Sequence, residues 1–387
     1  MNLSGLRILH TNFHRGWGGQ PSRILMLCQG LTEKGHQIVI AAPPGSLLAD
    51  KARDAGLETF EEPQFRQSKW ILSALRDAAS IHGLLKRRGF DLVDAHGSQD
   101  LWASAAAVKV GRHLLPLVYT RHNTKRVADH PANRFLYRHL VDHLILVSGS
   151  ILERYGPILN RGDFSRDRIS VVHSSYWEDR FHPGVDGTAA RRELGADGTD
   201  SVLVGVVGRL VADKGGIHFL KAAAKIAPQF PSARFLFVGR GKEEERLRRR
   251  ATELGLSGRV SFLGFREDMP LITAALDLSV LPSVDCDASS AALKEAMAVG
   301  RPVIATDVGG AKEIVEHGRT GLVVPPADPD ALASAMEDIL RREDRGRSLG
   351  EAGSQRVRNE FSRERLVEGT LEAYRKALQR WRKNECS

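Results

Sequence analysis

Three short stretches carry residues whose types and spacing could bind a ligand and act on it. In SVDCDASSAALKEAMAVG, Asp287 stands at the start of an expected helix and Glu295 lies eight positions further on. At about 1.5 Å of rise per residue, the two carboxylates stand roughly 12 Å apart along the axis. That is too far to share a proton and about the length of a small polar ligand lying across the helix start. With the hydroxyls of Ser289 and Ser290 they could accept and donate hydrogen bonds to sugar hydroxyls. Alternatively, Asp287 is a helix N-cap and Glu295 a solvated helix residue. In GRLVADKGG, Arg209 and Lys214 lie five positions apart, and two such cations could neutralise a diphosphate without a metal ion. The other reading is two solvated side chains on a glycine-rich turn. In HRGWGGQPS, Gly18 and Gly19 allow close approach of backbone to a ligand, and Pro21 suits the first turn of a helix whose free N–H groups favour an anion. A plain strand-to-helix turn accounts for the same residues.

These stretches have to be positioned by strands. Short apolar runs alternate with longer helical patterns, the signature of βαβ units and parallel sheets, so the fold class is α/β. One series of strands reads LRILHTNF, QIVIAAP, LVDAHG, PLVYTRH and HLILVS. A second begins afresh at Ser201 and reads VLVGVVGRL, RFLFVG, VSFLG, LSVLPS, PVIATD and TGLVVPP. The Gly-, Asp- and Arg-rich stretch between them predicts a first domain over 1–175, a linker over 176–200 and a second domain over 201–360. Two doubly wound, Rossmann-like domains facing a cleft are expected. Residues 361–387 form an amphipathic helix with a basic end that reads as a packing element, set back toward the first domain. In doubly wound sheets, ligands collect at the carboxyl ends of strands, where all three stretches fall. Cations and carboxylates on successive strand ends suit a nucleoside diphosphate sugar.

Composition narrows the class. With 387 residues, 42% hydrophobic and 27% charged, the chain is globular and long enough for about two domains with full cores. No apolar run approaches the roughly 18 residues of a spanning helix, and MNLSGLRILHTNFHRGW lacks a signal-peptide pattern, so a soluble cytoplasmic protein is expected. Cys28, Cys286 and Cys386 have neither metal-ligand nor disulfide-framework spacing and read as reduced thiols. The net charge of +9 is concentrated in residues 1–180, which hold 24 Lys and Arg against 17 Asp and Glu, and 11 of the 14 histidines. Such asymmetry suits either an acidic partner or, more commonly, a merely solvated surface, and no nucleic-acid-binding motif is present. The segment SKWILSALRDAASIHGLLKRRG sets Trp70, Ile71, Leu75 and Ile81 among Lys69, Arg76, Lys86, Arg87 and Arg88. It reads either as a peripheral contact with anionic lipid at the inner face of the cytoplasmic membrane or as an ordinary sheet-covering helix. A dinucleotide site is disfavoured, because the glycines lack G-x-G-x-x-G spacing and the second strand ends in AAPPG without an acidic residue.

The runs GRLVADKGG, RFLFVGRGKEEERL, RVSFLGFREDMPLITAALDLSVLPS and KEAMAVGRPVIATDVGGAKEIVEHGRTGLVVPPADPDALA, with GGQPSRILMLCQGLTEKGH, DLVDAHGSQD and the TRH of VYTRHN, resemble the retaining glycosyltransferases of family four. The resemblance spans nearly the whole chain in order and implies the GT-B architecture. By it, Arg209 and Lys214 would bind the donor diphosphate and stabilise the leaving group, and Glu295 would hold the ribose. Phe265 and Arg266 would flank the base, and Gly18 and Gly19 would lie close to the sugar and phosphates. His122 would lie near the reacting centre, with His96 and Arg121 on the acceptor side, although His96 could equally be a hydrogen-bonded residue at a strand end. The family usually has two glutamates with seven residues between them and Gly-Phe-Gly after the first. Here those positions are Asp287, Ala288, Ser289 and Ser290.

The expected activity is retaining, metal-independent transfer of a hexose-like sugar from a nucleoside diphosphate sugar. The acceptor class is a cell-envelope glycan or lipid-linked glycan such as lipopolysaccharide, and no cofactor is required. DCD also matches the Asp-x-Asp pattern of metal-dependent glycosyltransferases, but Arg209 and Lys214 already occupy the place where such an ion would act, so no metal is expected. The other readings are a nucleotide-sugar-binding protein with little turnover and a nucleotide-sugar epimerase on the same fold.

Overall fold

The computed structural model describes residues 5–66, 71–110, 115–198, 200–285 and 287–385. The chain forms two units, one from residues up to Ser175 together with those from Arg363 onward, the other Tyr176–Ser362. The first contains the strands β1 (Arg7–Thr11), β2 (Gln37–Ala41), β3 (Glu58–Phe60), β4 (Leu92–Ala95), β5 (Leu117–Arg121), β6 (His143–Leu146) and β7 (Ile169–Val171). The second contains β8 (Val202–Val207), β9 (Ala233–Val238), β10 (Val260–Gly264), β11 (Leu278–Leu281), β12 (Val303–Thr306) and β13 (Leu322–Val324).

The first sheet has the order β3-β2-β1-β4-β5-β6-β7 and the second β10-β9-β8-β11-β12-β13, with every pairing parallel. Central strands such as LVDA and LSVL are buried at every position, as a parallel sheet covered by helices on both faces requires. In the second unit, Phe219 meets Phe235 and Phe237 edge-on, and Phe237 stacks on Phe262. Strand order reverses between β1 and β4 in the first unit and between β8 and β11 in the second. Loops leaving the carboxyl ends of those neighbouring strands diverge to opposite faces and leave a crevice for a ligand.

All six expected strands of the second series are present, and the first sheet gains β3 and β7. These are three-residue edge strands, half-exposed or exposed at most positions, too short to give a readable alternation. The stretch 176–200, expected as a linker, is built into the second unit. Tyr176 and Phe181 are buried in its core, and the short helix Thr188–Glu193 packs on the helix Met269–Ala275. Its few apolar residues are anchors spaced too widely to form a helical or strand period.

The helix Arg363–Glu385 returns to the first unit, as expected. It buries Leu366, Val367, Thr370, Ala373, Tyr374 and Ala377 against the helix Gly19–Glu33 and strands β5, β6 and β7. Gly30 permits the close crossing, since a Cβ there would lie 2.5 Å from Val367 Cγ2. Arg363 pairs with Glu33 at 2.6 Å and Arg380 with Asp167 at 2.8 Å. In the candidate membrane segment, Leu75 is 56% exposed but Ile81 is fully buried. The helix Ile71–Arg88 packs against the helix Ser98–Val110, and the buried Ile81 is withdrawn from any lipid-facing set. Lys69 and Trp70 lie outside the described residues, as do Cys286 and Cys386, while Cys28 is a buried free thiol.

Candidate functional site

The β8 and β11 ends are pulled together by backbone. Gly215 adopts φ +66°, and a Cβ there would lie 1.8 Å from the carbonyl oxygen of Pro282, just past β11. Only glycine permits this approach, and Asp213 O also accepts from Val284 N at 2.9 Å. Lys214 is thereby delivered against the loop after β11, where its Nζ donates to Asp287 Oδ2 at 2.6 Å. Asp287 also accepts from Ser283 Oγ at 3.2 Å and is 7% exposed. Gly309, at φ +58°, lets the turn after β12 close over the same residue. Its Cβ would lie 1.9 Å from Asp287 O, which accepts from Gly310 N at 3.0 Å. Arg209 follows β8 with its side chain exposed and makes no side-chain hydrogen bond or ion pair among the described residues. The second unit thus sets a free guanidinium, an ammonium and a carboxylate around its switch point.

The N-cap reading of Asp287 is not what the structure has. The helix is Ala291–Ala298, and Ser290 caps it by accepting from Leu293 N at 3.3 Å, so the 12 Å spacing drawn from one continuous helix does not apply. Three of the four departures from the family pattern have a local use. Asp287 holds Lys214, Ser289 Oγ accepts from Lys294 Nζ at 2.8 Å, and Ser290 is the cap. Lys294, fully buried, was not singled out in the sequence, because a lysine on an apolar helix face reads as solvated.

Glu295 is half-buried, and burial pushes its carboxyl pKa up to about 7, with Lys294 and Arg180 pulling the other way. An acid whose folded pKa is raised binds more protons folded than unfolded, so its contribution to stability is fully present below about 4.5 and is lost as pH rises through about 7. Unfolding midpoints of Glu295→Gln should therefore fall less than those of the wild type over that window. Parallel midpoint curves would contradict it. After β10, Phe265 is 63% exposed, whereas Arg266 is engaged by Glu193 at 2.6 and 2.9 Å and by Asp268 at 2.8 and 2.7 Å. Its guanidinium braces the turn, and Phe265 is the member of the pair open to a stacking ligand.

In the first unit, Gly18 is extended at φ 170° and Gly19 opens the helix Gly19–Glu33. A Cβ at either would meet nothing within 4 Å, so neither fold nor packing asks for glycine there. Gln20 Nε2 donates to Asn12 Oδ1 at 2.8 Å and to His96 O at 3.0 Å, joining the loops after β1 and β4. Asp100 Oδ2 accepts from Thr11 Oγ1 and from the amides of His96 and Gly97 at 2.9, 2.8 and 3.1 Å. Arg121, expected on the acceptor side, is 7% exposed. It donates to the carbonyls of Asn123 and Lys125 and lies over the Tyr155 ring. A guanidinium so used holds the loop carrying His122 rather than facing a ligand.

His122 follows β5 half-exposed, while His96, after β4, is 1% exposed. His96 Nδ1 lies 3.0 Å from His122 Nε2, and His96 Nε2 lies 3.0 Å from Nδ1 of His10 on β1. Asp94 Oδ2 stands 3.9 Å from His10 Nδ1 and 3.8 Å from His96 Nε2. It accepts from Tyr374 Oη at 2.6 Å and from Thr120 Oγ1 at 3.1 Å. Burial, helped by the charge of Arg23, lowers the His10 pKa to about 3 and holds His122 well below its usual value. For His96 burial again leads, followed by His122, and the pKa falls likewise. Burial raises Asp94 to about 7. The ligand atoms of His10, Asp94 and His96 lie within 4.8 Å of one another, close enough to surround an ion. The two ring nitrogens facing the carboxylate are, however, bonded to each other. His10, Asp94 and Tyr374 escaped the sequence reading because nothing in their spacing joins positions 10, 94, 122 and 374.

Comparison with known proteins accords with this geometry. Residues 188–356 match the family model "Glycosyl transferases group 1", and residues 17–185 match "Glycosyltransferase Family 4". The D-inositol 3-phosphate glycosyltransferase of Corynebacterium urealyticum is 31% identical over 317 residues, covering 76% of this chain and 72% of that protein. The lipopolysaccharide core biosynthesis glycosyltransferase LpsE of Rhizobium meliloti is 27% identical over 364 residues, covering 94% and 97%. Among solved structures, a glycosyltransferase of Rickettsia africae superposes with a TM-score of 0.84 at 20% identity over 97% of this chain and 99% of that one. Anabaena Alr3699/HepE in complex with UDP-glucose gives 0.81 at 21% identity over 95% and 99%. With two doubly wound parallel sheets and matches to both halves of one family, the chain belongs to the family 4 glycosyltransferases of GT-B fold.

Proposed function

We propose that the chain transfers a sugar, with retention of anomeric configuration and without a metal ion, from a nucleoside diphosphate sugar to a cell-envelope glycan or lipid-linked acceptor such as lipopolysaccharide. The observation that carries the reading is the placement of Arg209 and Lys214 in the loop after β8, with Lys214 bonded to Asp287 after β11, at the switch point of the second sheet. Two fixed cations there would stabilise the charge that develops as the bond from anomeric carbon to phosphate oxygen breaks. The departing phosphate would take the acceptor hydroxyl's proton as the new glycosidic bond forms on the same face. Glu295 would accept from the ribose and Phe265 would stack on the base. Gly18 and Gly19 leave room beside the backbone in the first unit, which would bind the acceptor, and His122 would orient the sugar or the acceptor. A relative named for lipopolysaccharide core biosynthesis and a fold neighbour crystallised with UDP-glucose support the acceptor and donor classes. No helix among the described residues is long and apolar enough to cross a membrane. Exposed Leu75 and Arg76, with the basic end Lys86, Arg87 and Arg88, would supply a peripheral contact with anionic lipid.

A melting-temperature panel of nucleoside diphosphates and nucleotide sugars, run with and without EDTA, tests this reading. One nucleotide series should raise the melting temperature by the same amount in both conditions. No shift with any nucleotide, or a shift lost in EDTA, contradicts it.

A further inference from the structure

We propose that His10 and His96 are positioning residues that fix His122 as its Nδ1–H tautomer, so that His122 serves the transfer as a hydrogen-bond donor through Nδ1 and not as a base. The proposal rests on the placement of His122 near the reacting centre given above. The three imidazoles form one chain, with His10 Nδ1 to His96 Nε2 and His96 Nδ1 to His122 Nε2 both 3.0 Å. A neutral imidazole has one N–H and one bare nitrogen. The protons in such a chain therefore all run one way or all run the other.

The far end decides the direction. His10 is fully buried, and its Nε2 has no partner among the described residues. If the chain ran from His122 inward, His10 would hold its proton on Nε2, leaving a buried N–H with no acceptor. Orphaned buried N–H groups are rare and costly. If it runs outward, His10 donates from Nδ1, His96 receives on Nε2 and donates from Nδ1, and His122 receives on Nε2. Asp94 Oδ2 lies 3.9 and 3.8 Å from the two nitrogens of the first bond, beside the shared proton, and favours neither direction. Burial, and after it the charge of Arg23, keeps all three rings neutral. His122 Nε2 is thus occupied, and its remaining nitrogen carries a hydrogen. No described residue takes that Nδ1, and the residue is half-exposed, so the N–H is available to an oxygen of a ligand.

Long-range proton–nitrogen spectra of the full chain carrying ¹⁵N-histidine test this, with His122 assigned by the signals lost in His122→Ala. The expected spectrum has a protonated Nδ1 and a bare Nε2 on His122. In His10→Phe, which removes the first donor, His122 should shift to a mixture of tautomers. In His10→Asn, whose amide nitrogen can stand in for Nδ1, it should keep the wild-type form. A purely structural role for His10 would not separate these two variants. If His10→Phe does not fold, the wild-type spectrum alone decides, and a His122 protonated on Nε2 overturns the relay. The reaction role is read separately, as release of nucleoside diphosphate from whichever nucleotide sugar most raises the melting temperature. His122→Ala should lower turnover about tenfold or more. Turnover at the wild-type rate would overturn the placement of His122 in the reaction and leave the spectrum standing. Slow turnover with an Nε2–H ring would overturn the relay alone.

Discussion

Replacing either Arg209 or Lys214 by Ala should lower turnover by roughly 10²-fold or more while the fold is retained, the effect expected when a charge-stabilising donor is lost. The structure separates the two in detail. Arg209 makes no side-chain hydrogen bond or ion pair among the described residues, so its loss should leave the melting temperature nearly unchanged. Lys214 is paired with Asp287 at 2.6 Å, the two side chains being 22% and 8% exposed. Its removal strands a buried carboxylate, and some stability should go with the activity. Release of nucleoside diphosphate, measured beside melting curves, checks both. Turnover near wild type in both single variants would rule out the diphosphate assignment.

The second large effect concerns Asp287, and here the ion pair sets the sign. In the ligand-free protein the carboxylate competes with any diphosphate for the Lys214 ammonium, and its negative charge sits where phosphate oxygens would come. Asp287→Ala should therefore bind free nucleoside diphosphate more tightly than the wild type. Sugar transfer should fall by about 1–3 kcal/mol in activation terms, because the sugar loses a charged hydrogen-bond acceptor. Calorimetry with the free nucleotide and initial rates with the nucleotide sugar would be compared in the same variant. If only the melting temperature falls, with nucleotide affinity and rate unchanged, Asp287 is structural. Helix capping would not explain such a result, because Ser290 fills that place.

The strands of the second unit were readable because each is a short, mainly apolar run ending at Gly, Pro or Asp, the pattern expected of a parallel sheet covered by helices. β3 and β7 were not readable, being three-residue edges with exposed positions. Loops at strand ends could be named in advance for the same reason, since position follows from strand order. What their side chains do with one another could not. Arg266 and Arg121 look like ligand-binding cations in a list of motifs, but each is consumed by neighbours, Arg266 by Glu193 and Asp268 and Arg121 by loop carbonyls. The reverse holds for His10, Asp94 and Tyr374. They lie on β1, on β4 and on the C-terminal helix, and only the fold brings them to hydrogen-bonding range of one another. Long-range pairing of polar groups has no period in the sequence, and burial, which gives such pairs their strength, is a property of the folded chain.

On the proposed reading, the second unit holds a nucleoside diphosphate sugar between the ends of β8, β11 and β12. Hydrogen–deuterium exchange of the full chain, with and without the nucleoside diphosphate that most raises the melting temperature, tests it without knowledge of the acceptor. Slowed exchange is expected in residues 208–216, 287–295 and 307–311, centred on the amides around Lys214, Asp287 and Gly309. Slowed exchange confined to the first unit, or none in these three segments at saturating nucleotide, would contradict it.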